Sequence, residues 1–101
     1  MPLVKVGSVS DLPPDSVMEA SVGENVYAIC HTAGRITAVS GVCLHRGGPL
    51  GQGAIHGSNV VCPWHMWEFD CRTGVYDYDP SKKIPVYDVK IDGDDILLQV
   101  S

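Results

Sequence analysis

"VVCPWHMWEFDCRTGVY" spans Val60–Tyr76 and holds the pair on which the reading of the fold turns. Cys62 and His65 lie three apart, with Pro63 and Trp64 between them. The apolar stretches on either side, "SNVVC" and "MWEFD", read as short strands. The pair therefore sits in the loop that joins them. A thiol and an imidazole in one loop are ligand types for iron or zinc, and the flanking aromatic residues are equally at home in a core. One such pair is half a site, so the rest of the chain has to decide.

Upstream, Cys43-Leu44-His45 supplies a second pair, within "VCLHRGGPLGQG" (Val42–Gly53). Sixteen residues separate His45 from Cys62, giving C-x-H-x16-C-x2-H. A finger-type zinc site usually takes two cysteines from one knuckle and two histidines from elsewhere. Here each loop offers one sulfur and one nitrogen. That split suits two metals, with Cys43 and Cys62 on one iron and His45 and His65 on the other, the ligation of a Rieske [2Fe–2S] centre. A single zinc ion remains the competing occupant.

The pairs lie in a segment unlike the rest. From Cys43 to about Asp79 there are glycines at 47, 48, 51, 53, 57 and 74 and prolines at 49 and 63. A stretch this long and glycine-rich is loop-dominated and wants something to organise it. Around it the chain reads as strands. "LVKV" (Leu3–Val6) is the first, and the prolines of "SDLPPDS" make a turn. "SVMEASV" and "NVYAICHT" are joined near Gly23–Glu24, and Ala33–Gly34 turns the chain into "RITAVSGV". Near the C-terminus Tyr87, Val89 and Ile91 alternate with polar residues, Asp92-Gly93-Asp94 turns, and Ile96, Leu98 and Val100 alternate again. That pattern predicts a two-stranded hairpin with one buried face. Helical periodicity is weak throughout. The expected fold is all-β: residues 1–101 form one domain, a small antiparallel sandwich or barrel base from about 1–42 and 80–101. The glycine-rich cluster-binding subdomain is inserted at about 43–79.

Composition narrows the function classes. One domain of 101 residues with 45% hydrophobic content is an ordinary globular chain. A net charge of −5 argues against nucleic acid, and no apolar run is long enough for a membrane span. "MPLVKVGSVS" does not read as an export signal, so a reducing cytoplasm is expected, where Cys–His spacing points to metal rather than disulfides.

The two loop sequences resemble those of Rieske proteins, and most closely the small soluble Rieske ferredoxins that serve multicomponent ring-hydroxylating oxygenases. The small subunit of assimilatory nitrite reductase is similar too. The resemblance implies one [2Fe–2S] cluster per chain, held by Cys43, His45, Cys62 and His65. It implies a one-electron carrier, not an enzyme by itself. Its partners would be a flavin-containing NAD(P)H-dependent reductase and a terminal oxygenase, or else the nitrite reductase large subunit. A zinc-stabilised binding module is the reading from outside this class. Rieske proteins of respiratory complexes carry two further cysteines, a serine and a tyrosine near the cluster. Gly48, Trp64, Trp67 and Phe69 stand at those positions here. Without those hydroxyl donors the resemblance implies a low reduction potential.

Other residues carry less. Cys30 follows the alternation of Val26 and Ala28 and reads as a core thiol, and Cys71 as filler of a small apolar site. His31 and His56 lack a ligand-spaced neighbour and read as surface or loop histidines. Met66 stands where the family usually has glycine. Asp77, Asp79, Asp92, Asp94 and Asp95 read either as a docking face or as solvated turns.

Overall fold

The computed structural model describes residues 3–44, 46–64 and 66–100. Its first four strands are β1 (Leu3–Ser8), β2 (Ser16–Val22), β3 (Asn25–Thr32) and β4 (Arg35–Ser40). Five short ones follow: β5 (Ala54–His56), β6 (Asn59–Val61), β7 (Glu68–Asp70), β8 (Val75–Tyr76) and β9 (Asp79–Lys83). β10 (Val86–Tyr87), β11 (Val89–Asp92) and β12 (Asp95–Gln99) complete the order. They form three antiparallel sheets, ordered β1-β12-β11, β10-β4-β3-β2 and β5-β6-β7-β8-β9. Apart from two 3-10 turns, Val9–Asp11 and Leu50–Gln52, the described residues contain no helix, and none is long and apolar enough to cross a membrane.

β3 explains the layering. Its residues from Tyr27 to Cys30 are buried without a break, which a strand with one wet face would not show. Side chains on a strand alternate between faces. Ala28 and Cys30 enter one core cluster, with Val39, Cys43, Leu50, Val60, Cys62, Phe69, Cys71 and Ile84. Tyr27 and Ile29 enter the other, with Leu12, Ala20, Ala38, Ile96 and Leu98. The four-stranded sheet is thus the middle layer. The β12 side covers one face, and the five-stranded sheet with the cysteine loops covers the other. Each fully buried Ile, Leu or Phe stabilises this arrangement by about 1.5–3 kcal/mol.

Turn chemistry sets the register of the middle sheet. Thr32 pairs with Arg35, leaving Ala33 and Gly34 as a two-residue loop with φ of 50° and 75°. Two successive left-handed residues are the requirement of the hairpin turn whose twist matches the strands. The expected turn at Ala33–Gly34 is therefore present.

Two expectations need correction. The C-terminal hairpin is present as β11 and β12, with Ile91 opposite Ile96, but Tyr87 lies outside it. Tyr87 pairs with Ala38 of β4 in the middle sheet and meets the Tyr27 ring edge-on at 4.9 Å between centroids. Ile91 is 44% exposed, because β11 is an edge strand, whereas Ile96 and Leu98 are fully buried. His31 is also no loop residue. It lies in β3, half-buried, with Nδ1 2.8 Å from the Leu12 carbonyl oxygen.

Candidate metal centre

Both cysteine loops are six-residue tips closed in the same way. The first spans residues 43–48, between Val42 and Pro49, which bridge antiparallel. The second spans residues 62–67, between the paired Val61 of β6 and Glu68 of β7. In the first, the Cys43 N–H donates to the Gly48 carbonyl at 2.9 Å. In the second, the Cys62 N–H donates to the Trp67 carbonyl at 2.7 Å. Each cysteine is therefore the first residue off a β framework, fixed by its own backbone.

Both loops also pass through the left-handed region. Arg46 has φ of 66°, Gly47 71° and Met66 62°. Arg46 and Met66 each follow an expected histidine ligand directly. Met66 thus holds a backbone conformation that only glycine adopts without strain, a physical reason for the glycine that the resemblance led one to expect there.

The structure places Cys43 and Cys62 in one core cluster, 1% and 0% exposed. Gly48 ties them together. Its carbonyl binds the Cys43 N–H, while a β-carbon on it would come within 2.5 Å of the Cys62 Sγ and 3.2 Å of the Trp64 ring. Only glycine leaves the sulfur this close to the opposite loop's backbone. His45 and His65 lie outside the described residues. Among the described residues no group of three or more His, Cys, Asp or Glu side chains is arranged to hold a metal ion. The part of the donor set that is described fits a sulfide-bridged iron centre: two buried sulfurs, one from each loop, with close backbone approach at a glycine.

Aromatic rings back the second loop. Trp67 stacks on Tyr76 at 4.1 Å with planes 10° apart, and Phe69 lies 5.5 Å from Tyr76. Packing pushes the Tyr76 hydroxyl up from its ordinary pKa, and the neighbouring Tyr78, Cys43, Asp77 and Asp79 add to this. Trp67 is partly buried against the core, whereas Trp64 is half exposed, so the two flanking tryptophans do different work.

The two cysteines outside the loops are core thiols, as expected for Cys30 from its strand pattern and for Cys71 as filler of a small apolar site. Cys30 and Cys71 are both fully buried. Hydrogen bonding to Cys71, and then burial, push the Cys30 thiol far above the usual range, so it stays protonated and is a poor ligand. The acids are largely engaged locally. Asp94 accepts from the Ser10 N–H at 2.9 Å and hydroxyl at 2.8 Å, Asp95 pairs with Lys5 at 3.0 Å, and Asp79 accepts from Ser81.

Sequence reasoning missed a ring of exposed apolar side chains around the loops. Val42 is 49% exposed, Leu44 50%, Trp64 49% and Met66 67%. Their signal was available: large apolar residues interleaved with glycines and ligands have no core to enter. Exposed apolar collars of this kind mark contact surfaces.

Comparison with known proteins follows the same line. The family model of the Rieske [2Fe-2S] domain matches residues 3–88. The biphenyl dioxygenase ferredoxin subunit of Pseudomonas sp. (strain KKS102) is 32% identical over 103 residues, covering 100% of this chain and 94% of that protein. The ferredoxin of carbazole 1,9a-dioxygenase from Nocardioides aromaticivorans IC177 superposes with a TM-score of 0.86 at 28% identity, over 97% of each chain. A putative NADH-dependent nitrite reductase small subunit from Mycobacterium tuberculosis reaches the same TM-score at 18% identity, over 99% of this chain and 96% of that one. At that identity the likeness concerns the fold alone.

Proposed function

We infer the function from one premise: this chain belongs to the Rieske [2Fe–2S] domain family. It is a one-electron carrier of the ferredoxin type, and its work is done in company rather than as an enzyme by itself. Cys43 and Cys62 would hold one iron and His45 and His65 the other, with the segment of about 43–79 serving as the cluster-holding insertion of a single domain. When bound, the [2Fe–2S] cluster supplies reversible one-electron chemistry.

The chain's own residues prepare the surroundings. Gly48 keeps the space beside the Cys62 sulfur clear. Phe69 and the Trp67–Tyr76 stack exclude water from behind the second loop. Trp67 and Phe69 offer no hydroxyl to the sulfurs, which favours the oxidised form and places the potential toward the low end of the range of roughly −150 to +300 mV known for such centres. A low potential suits a donor to an oxygenase.

The single observation that carries the partner reading is the apolar collar of Val42, Leu44, Trp64 and Met66 around the two loops. A small apolar contact ringed by polar surface suits brief association with successive partners. Those partners are an NAD(P)H-dependent flavin reductase as donor and a terminal ring-hydroxylating oxygenase as acceptor, in the cytoplasm. Two measurements test this. The dithionite-reduced protein should give the EPR spectrum of a mixed-ligand [2Fe–2S] centre, with two irons and two acid-labile sulfides per chain. Reconstitution with a reductase and an oxygenase should support NADH-dependent turnover. Turnover only with a nitrite reductase large subunit would move the chain to that service, and a colourless zinc protein would end the proposal.

A further inference from the structure

A hollow of about 400 Å³ opens at the end of β4 remote from Cys43, where β10 parts from it. β10 pairs with β4 only through Val86–Val39 and Tyr87–Ala38. Beyond Tyr87 the chain leaves for β11 and the other sheet, so among the described residues the edge of β4 at Arg35–Thr37 has no strand beside it on that side. Three features meet there. Thr37 lines the hollow, and its Oγ1 is buried with no hydrogen-bond partner among the described residues. Arg35 and Arg72 line the same hollow and are two of the chain's three arginines. Neither forms an ion pair among the described residues, where the pairs are Lys5–Asp95 and His56–Glu68. Two arginines without an ion pair among the described residues border one hollow, in a chain of net charge −5. Val86 and Val89 supply apolar wall, and one carboxylate, Asp88, stands on the rim.

We propose that this hollow binds a small organic anion, a carboxylate on an apolar body, held by the guanidiniums of Arg35 and Arg72. Guanidinium forks match a carboxylate's two oxygens. The valines favour a hydrocarbon body over a bare inorganic ion. A cavity of about 150 Å³ already accepts benzene, so this volume takes an aryl carboxylate together with water.

Isothermal titration of the cluster-loaded protein with benzoate, and separately with inorganic phosphate, tests the proposal. Benzoate should bind saturably at one site per chain and more tightly than phosphate. Arg35→Gln and Arg72→Gln should each weaken benzoate about tenfold, the usual effect of losing a charge-assisted hydrogen bond. Thr37→Val removes an unpaired hydroxyl sealed from the hollow, so it should leave benzoate binding unchanged and the melting temperature equal or higher. Benzoate should leave the EPR spectrum of the reduced protein unchanged, because the hollow lies away from the cysteine loops. Absence of saturable benzoate binding overturns the proposal, as does an unchanged affinity in the arginine variants. Phosphate binding as tightly as benzoate overturns the apolar body, and a benzoate-dependent EPR change relocates the site to the loops and overturns the assignment.

Discussion

Gly48→Ala presses on the metal centre at its narrowest point. The added β-carbon would lie 2.5 Å from the Cys62 Sγ and 3.2 Å from two Trp64 ring carbons. Non-bonded heavy atoms settle at about 3.5–4.0 Å. Sulfur or backbone must therefore move by about 1 Å. Metal–ligand bonds hold their lengths to within about 0.2 Å, so the displacement is roughly five times what ligation tolerates. Moving the backbone instead gives no relief, because the Gly48 carbonyl holds the Cys43 N–H at 2.9 Å and would carry the other sulfur with it. Iron and acid-labile sulfide per chain should fall far below the wild-type level. The folded state should lose about 1–3 kcal/mol, the usual cost of overpacking. Gly47→Ala is the control. Its β-carbon would meet only the Val42 Cγ1, at 3.7 Å, so its cost is the left-handed backbone of φ 71°, about 1 kcal/mol, with the cluster retained. Metal analysis, EPR of the reduced protein and denaturant titration separate the two. Equal cluster content in both variants, or a wild-type EPR spectrum from the Gly48 variant, would refute the role given to Gly48.

Four further outcomes are expected. Met66→Gly relieves a left-handed methionine and should raise stability by about 0.5–1 kcal/mol, seen as a higher melting temperature; a fall would contradict the strain reading. Cys30→Ala and Cys71→Ala should each cost about 1 kcal/mol and keep full iron content, whereas Cys43→Ala and Cys62→Ala should lose the cluster; iron loss in the first two would make them ligands. Leu44→Asp should raise the ferredoxin concentration needed for half-maximal oxygenase turnover about tenfold and leave the EPR spectrum intact; unchanged turnover would remove the collar from the docking surface. The Ser81 hydroxyl, at 2.6 Å, and its N–H, at 3.1 Å, hold the Asp79 carboxylate below the usual carboxylate range. A depressed value means the contact favours folding above the unfolded pKa near 4 and stops doing so as pH falls through the lower folded value. Ser81→Ala should move the Asp79 titration upward in an NMR pH series, and an unmoved titration would assign the shift elsewhere.

The family was legible because the pairs Cys43–His45 and Cys62–His65 stand out by type and spacing, which no packing argument is needed to read. The long strands were legible for a different reason: β2, β3 and β4 are bounded by hairpin residues, and Ala33–Gly34 admits few other conformations. What escaped was short or edge structure. β9 runs Asp79–Lys83 through "DPSKK", with no alternation to find, because an exposed edge strand needs no buried face. Tyr87 follows the period of Val89 and Ile91, yet its partner is Ala38 in another sheet, and a local period carries no information about distant pairing. The contact between Cys30 and Cys71 is likewise tertiary. The collar escaped because a glycine-rich segment has no period to say which apolar residues face inward, and only the fold shows Leu44 and Met66 facing outward.

The two cysteine tips hang from different layers. The first leaves the middle sheet at β4, and the second crowns the β6–β7 hairpin of the five-stranded one. Any inorganic core gripped by both sulfurs is therefore a rivet between two plates. Loading it should suppress sliding of one plate over the other, and stripping it should let amide exchange quicken along their shared seam. A riveted centre also has little room to rearrange when an electron arrives, and small rearrangement is what makes a carrier fast.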